Sequence, residues 1–96
     1  MSLIYQLIGY LNNLSGTCTA QGTSSAYDGT ASISVSNNVI TLICNFTPTQ
    51  NDNINSVSFS FNTCLGALQH TSSLNSAPVI ANYAHVATTV IKVAQI

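Results

Sequence analysis

The sequence predicts an α+β domain that is predominantly antiparallel β, with one N-terminal amphipathic helix packed on a small sheet. Three observations carry this. Apolar residues recur at helical spacing over residues 3–14, the period becomes two from Thr17 onward, and turn residues separate the two-period runs. Ninety-six residues make one domain, 1–96, with room for a single shallow core.

The helix is read first. Leu3, Ile4, Leu7, Ile8, Leu11 and Leu14 fall within about 140° of one another at ~100° per residue, and Gln6, Gly9, Asn12 and Asn13 lie opposite. Ser2 can cap its start and Gly16 can stop it. Leu7 and Leu11 are therefore expected to be buried, and Gln6 and Asn13 exposed.

The strands follow. "TCTAQ", "TASISVS", "NVITLICNF" and "SVSFSFNTC" are rich in β-branched and aromatic residues. In the last of these Val57, Phe59 and Phe61 share one face, and Ser56, Ser58 and Ser60 share the other. Asp28-Gly29 and Asn37-Asn38 read as turns, and "TPTQNDNIN", 47–55, reads as a polar loop holding Pro48. With one loop between them, 39–46 and 56–64 are expected to pair as a hairpin. That would make Cys44 and Cys64 neighbours, either as small buried hydrophobes or as a disulfide. Residues 66–77 read as irregular. Residues 78–84 read as a helical turn or irregular chain, and 86–95 as a closing strand. The spacing of Ile80, Tyr83, Ala87, Val90, Ile91 and Ala94 also fits a helix, so that segment stays open between the two.

Composition narrows function more than any motif does. Charged residues are 3% of the chain; Lys92 is the only cation, and Asp28 and Asp52 are the only acids. A single lysine cannot neutralise a row of phosphates, which excludes nucleic acid as a partner. "SLIYQLIGYL" is about half the length of a membrane-spanning helix and is broken by Gln6 and Gly9, so no membrane span is expected. It also lacks the flanks of a signal peptide. Two glycosylation sequons, at Asn13 and Asn45, point the same way, because the second falls in an expected strand. The expectation is cytoplasmic synthesis without a signal peptide, the alternative being an extracellular mature chain. Cysteines and histidines lack metal-ligand spacing, and no nucleophile–base pair stands out, so no metal, cofactor or catalytic residue is expected and the chain is read as a non-enzyme.

A surface solvated by 13 Ser, 11 Thr and 11 Asn suits a neutral, hydroxyl-rich ligand. Sugars are held by amides and carboxylates that match their hydroxyls, and by aromatic rings that cover their C–H faces. Two stretches supply these groups: Tyr27 and Asp28 in "SSAYDGT", and Asn82, Tyr83 and His85 in "ANYAH". They form the expected ligand-binding set.

"ITLICNF" followed by "SVSFSFNTCLG" resembles the repeat of cyanovirin-N-type lectins, with Ser60 standing where that family has aspartate. The whole chain, short, leaderless, charge-poor and rich in Ser, Thr and Asn, is similar in profile to the small cytoplasmic lectins of mushrooms. The resemblance implies oligosaccharide or glycoconjugate binding by a homodimer. The expected function is thus a lectin made multivalent by self-association. The alternative is a self-assembling structural subunit of a fibre, coat or shell, since long neutral strands without lysine gatekeepers invite edge pairing.

Overall fold

The computed structural model describes residues 15–63 and 66–92. These are all β. Six strands, β1 (Ser15–Gly22), β2 (Ala26–Ser36), β3 (Val39–Phe46), β4 (Asp52–Thr63), β5 (Gly66–Val79) and β6 (His85–Lys92), form one sheet in the order β5-β4-β1-β2-β3-β6. Every pairing is antiparallel. The sheet curls into a nearly closed barrel. The α+β class is therefore corrected to all-β, with no helix among the described residues. The helix expected over 3–14 lies outside them.

Period-two patterning builds the interior. Along β2, Tyr27, Ala31 and Ile33 point inward while Asp28, Thr30, Ser32 and Ser34 are exposed or outward; along β3, Ile40, Leu42, Cys44 and Phe46 point inward. Val57, Phe59 and Phe61 of β4 are each 1% exposed, as the Ser-apolar alternation requires. β4 changes phase once. Asp52 and Ile54 are buried, then Val57, so an extra residue must intervene; the register slips between Ile54 and Ser56, a β-bulge at Asn55. The Asn55 amide is tied to Thr23 Oγ1 (3.1 Å) and its carbonyl accepts from Ser76 Oγ (3.2 Å).

The sheet turns its corner at β2. Cys18 of β1 and Cys44 of β3 are joined by a disulfide across the intervening strand, with Cα atoms 5.9 Å apart. Strands separated by a third stand about 9.6 Å apart in a flat sheet, so β1 and β3 fold toward each other around β2. Small residues on β2 permit this. Cys18 registers with Gly29, and Cys44 with Ala31. A Cβ at Gly29 would stand 2.2 Å from the Asn45 carbonyl oxygen, so only glycine fits.

Four further expectations change. Asp28-Gly29 is not a turn but mid-strand; its glycine serves close packing. Strand 39–46 pairs with β2 and β6, and 56–63 with β1 and β5, so the expected hairpin does not form. Cys44 bonds Cys18 rather than Cys64, which lies outside the described residues. Residues 66–77 are not irregular but belong to β5, a strand in which Leu68, Leu74 and Val79 are spaced among polar residues and which is held by pairing with β4. The Asn37-Asn38 turn stands as read, with Asn37 at φ 54°. The closing strand is β6, from His85 to Lys92.

Candidate functional site

Alternation of strand direction gathers three loops at one end of the barrel: 23–25, 47–51 and 80–84. The opposite end holds the Asn37-Asn38 turn and the start of β1. Most of the residues that could bind a ligand stand at the loop end.

Two fixed points hold the loops. The first is Asp52, 8% exposed at the start of β4. Its carboxylate accepts from the Tyr27 hydroxyl at 2.6 Å, from the Asn53 backbone N–H at 2.8 Å, and from the Ser24 N–H at 3.2 and 3.3 Å. A Cβ on Gly22 would lie 2.4 Å from that carboxylate, so the chain passes close enough to deliver Ser24. The Tyr27 hydrogen bond, helped by the Asn53 and backbone Ser24 and Ser25 donors, holds the Asp52 carboxyl below its ordinary value although burial pushes it up. Reciprocally, the bond to Asp52, burial and the nearby negative charge raise the Tyr27 phenol, with a bond from Gln50 opposing. This pair is a structural clamp that fixes loop 23–25.

The second fixed point joins the other two loops. The Asn82 N–H donates to the Pro48 carbonyl at 2.8 Å, and the Ala81 N–H donates to the Asn51 side-chain oxygen at 2.8 Å. Pro48 is itself fully buried. Asn82 takes φ 67°, a left-handed conformation that asparagine tolerates better than most residues. His85 Nε2 lies 3.0 Å from the Ile80 N–H, and its ring stacks on Phe46 with centroids 5.9 Å apart. Next to these anchors Tyr83 projects outward, 66% exposed, beside Asn82 and Ile80.

The expected ligand set therefore divides. Asn82 and Tyr83 stand together on one braced loop, and His85, the first residue of β6, follows with its ring half-buried against Phe46. Tyr27 and Asp28 are adjacent in a strand, so they point to opposite faces: Tyr27 is buried, and Asp28 is exposed and receives the Thr19 hydroxyl at 3.2 Å. They cannot act as one exposed pair. Sequence reasoning missed Asn51 and Pro48, which position the Tyr83 loop, and Asp52, which it took for a surface turn. Among the described residues no cluster of three or more His, Cys, Asp or Glu could hold a metal, and no helix is long and apolar enough to cross a membrane. No protein-family model, curated protein or solved structure matches the chain.

Proposed function

We propose that the protein is a recognition module, a lectin that binds neutral glycans non-covalently through the loop end. The observation that carries this is Tyr83, an aromatic ring two-thirds exposed on a loop held by backbone hydrogen bonds to its neighbour. Such a ring offers a flat apolar face without loss of loop entropy on binding. The exposed Asn82 amide beside it supplies both donors and an acceptor for hydroxyls. With almost no charge nearby, affinity depends little on salt. The likeness in profile to small mushroom lectins supports the same reading. The buried Cys18–Cys44 bridge supports the extracellular alternative for its location, since disulfides persist in oxidising compartments. The test is titration calorimetry against galactose-, mannose- and N-acetylglucosamine-containing oligosaccharides. Tyr83→Ala is expected to weaken binding by about tenfold with the fold intact. Silence of the folded wild-type protein across the whole series sinks the reading.

One observation favours the second reading, self-assembly. The outer face of β6 carries Val86 and Val90, 62% and 56% exposed, opposite Asn45 and Thr41 of β3 and diagonal to the half-buried Ile43 and Val39. Two exposed valines on an edge strand whose one charged residue is Lys92 at its end favour contact with another copy. Light scattering that shows a concentration-dependent mass, abolished by Val90→Lys, supports this reading; a monomer at all concentrations removes it.

A further inference from the structure

His85 sits where a change of charge reaches the loop that carries Tyr83. It is half-buried at the start of β6, and its ring stacks on Phe46 with 28° between the two planes. One ring atom, Nε2, stands against both polar groups of a single backbone residue. It lies 3.0 Å from the Ile80 nitrogen and 3.3 Å from the Ile80 carbonyl oxygen. A bare imidazole nitrogen accepts and a protonated one donates, so Nε2 serves one of these groups at a time.

The Ile80 carbonyl has a second claimant. The Tyr83 N–H donates to it at 3.4 Å and closes the turn over 80–83. With Nε2 bare, the Ile80 N–H donates to His85 and the Ile80 carbonyl is left to Tyr83. With Nε2 protonated, the Ile80 N–H faces another donor, and His85 competes with Tyr83 for the carbonyl. The bonds from Ala81 to Asn51 and from Asn82 to Pro48 involve neither Nε2 nor Ile80, so the change is confined to the turn.

The elements packed around the ring bring no charged group into its cleft. Phe46 of β3, Ile54 of β4, and Leu74, Ala77 and Val79 of β5 line it with His85. The titratable groups on those elements are Asp52 of β4, engaged by the Tyr27 hydroxyl and the Ser24 N–H, and His70 of β5, which lines the cleft at the opposite end of the barrel. Lys92 stands at the far end of β6, and Tyr83 lies on the loop itself.

We propose that His85 is a pH switch for this loop: neutral, it holds the turn that presents Tyr83, and protonated, it loosens that turn. Histidine is the side chain whose charge changes between about pH 5 and 8. The effect on ligand affinity rests on the reading of Tyr83 as the glycan contact; the change in the turn does not.

Isotope-labelled full-length protein without ligand, taken from about pH 8 to about pH 5, provides the test. Long-range proton–nitrogen spectra are expected to show Nε2 of His85 bare at the alkaline end, with the proton on Nδ1. Protection of the Ile80 amide from solvent exchange, corrected for the intrinsic rate, is expected to fall several-fold as His85 protonates. Asn82 protection and the β-sheet circular dichroism are expected to hold. His85→Gln, whose side-chain oxygen accepts without titrating, is expected to keep Ile80 protection constant across the range. A proton on Nε2 at the alkaline end, flat Ile80 protection in the wild type, or a fall that persists in His85→Gln overturns the proposal. In calorimetry, the oligosaccharide bound by the wild type at the alkaline end is expected to bind several-fold more weakly at the acid end, and equally at both in His85→Gln. Equal wild-type affinity at both ends overturns the control of binding. No binding at either end, with the Ile80 change present, removes the lectin reading and supports the switch on its own.

Discussion

The two ends of the barrel are built from different chemistry. At the loop end a proline is fully buried, and polar groups are consumed in pairs: Tyr27 with Asp52, Asn82 with Pro48, Ala81 with Asn51. At the other end, an apolar mouth, the interior is lined by aliphatic and aromatic side chains, among them Ile33, Leu42, Phe61 and Leu68. Hydrogen bonds are directional and fix loop conformation, whereas apolar contact is tolerant of shape and favours whatever apolar surface is near. The loop end is therefore suited to present a defined surface.

Substitutions separate the ends by size of effect. The largest is expected for Ile54→Ala, near the loop end, because the side chain is 1% exposed and its removal leaves a cavity among packed neighbours. A loss of about 2–5 kcal/mol in denaturant unfolding is expected; a loss below about 1 kcal/mol would mean that this end collapses as freely as the mouth and would break the distinction.

Tyr27→Phe comes next. It removes the 2.6 Å bond and leaves the buried Asp52 carboxylate with backbone donors only. The melting temperature should fall by several degrees. The pH dependence sharpens the test. Asp52 has a lowered value when folded, so its contribution is complete above the ordinary 3.8 and is lost as pH falls through the folded value. Tyr27 has a raised value when folded, so its contribution holds below the ordinary 10.0 and is lost as pH rises past that toward the folded value. The wild-type protein should thus show a stability plateau between these limits. Tyr27→Phe should move the acid edge upward and remove the part of the alkaline edge that belongs to Tyr27. An acid edge that does not move would show that the backbone donors alone hold the carboxylate.

The smallest effect is expected at the mouth end. Asn37→Gly replaces one residue that tolerates φ 54° with another that does so freely. Stability should change by less than about 0.5 kcal/mol in thermal unfolding. A loss above about 1 kcal/mol would show that the Asn37 side chain contributes as the loop-end clamps do.

Legibility in the sequence followed the same division between patterned and unpatterned chemistry. The inner face of β4 could be read because Ser and apolar residues alternate without interruption from Ser56 to Phe61. β5 could not, since Leu68, Leu74 and Val79 are too widely spaced among the polar residues of Gly66 to Val79 to show a period of two, and the strand owes its extended form to pairing with β4. Tyr27 was legible as an aromatic next to an acid, but the glycine after Asp28 suggested a turn. Gly29 is there because the Asn45 backbone passes close by, a long-range cause that leaves the same local signature. The disulfide was misread for a related reason. Nearness along the chain favoured Cys44 with Cys64, whereas the fold around β2 makes Cys18 the neighbour. Of the binding set, Asn82 and Tyr83 on the loop are exposed, His85 at the start of β6 is half-buried, and Tyr27 and Asp28 are divided by the pleat of β2.

The Cys18–Cys44 bridge also changes what a broken backbone means for this molecule. It closes a covalent ring that contains all of β2 and the exposed Asn37 at its hairpin turn. A protease that cuts at this turn opens the ring without releasing a fragment, because the two pieces stay joined through sulfur. Both also keep their places in the sheet, β2 against β1 and β3 against β6. Cleaved and intact molecules would therefore travel together until a reductant separates them, which gives the barrel a tolerance to nicking that depends on the redox state of its surroundings.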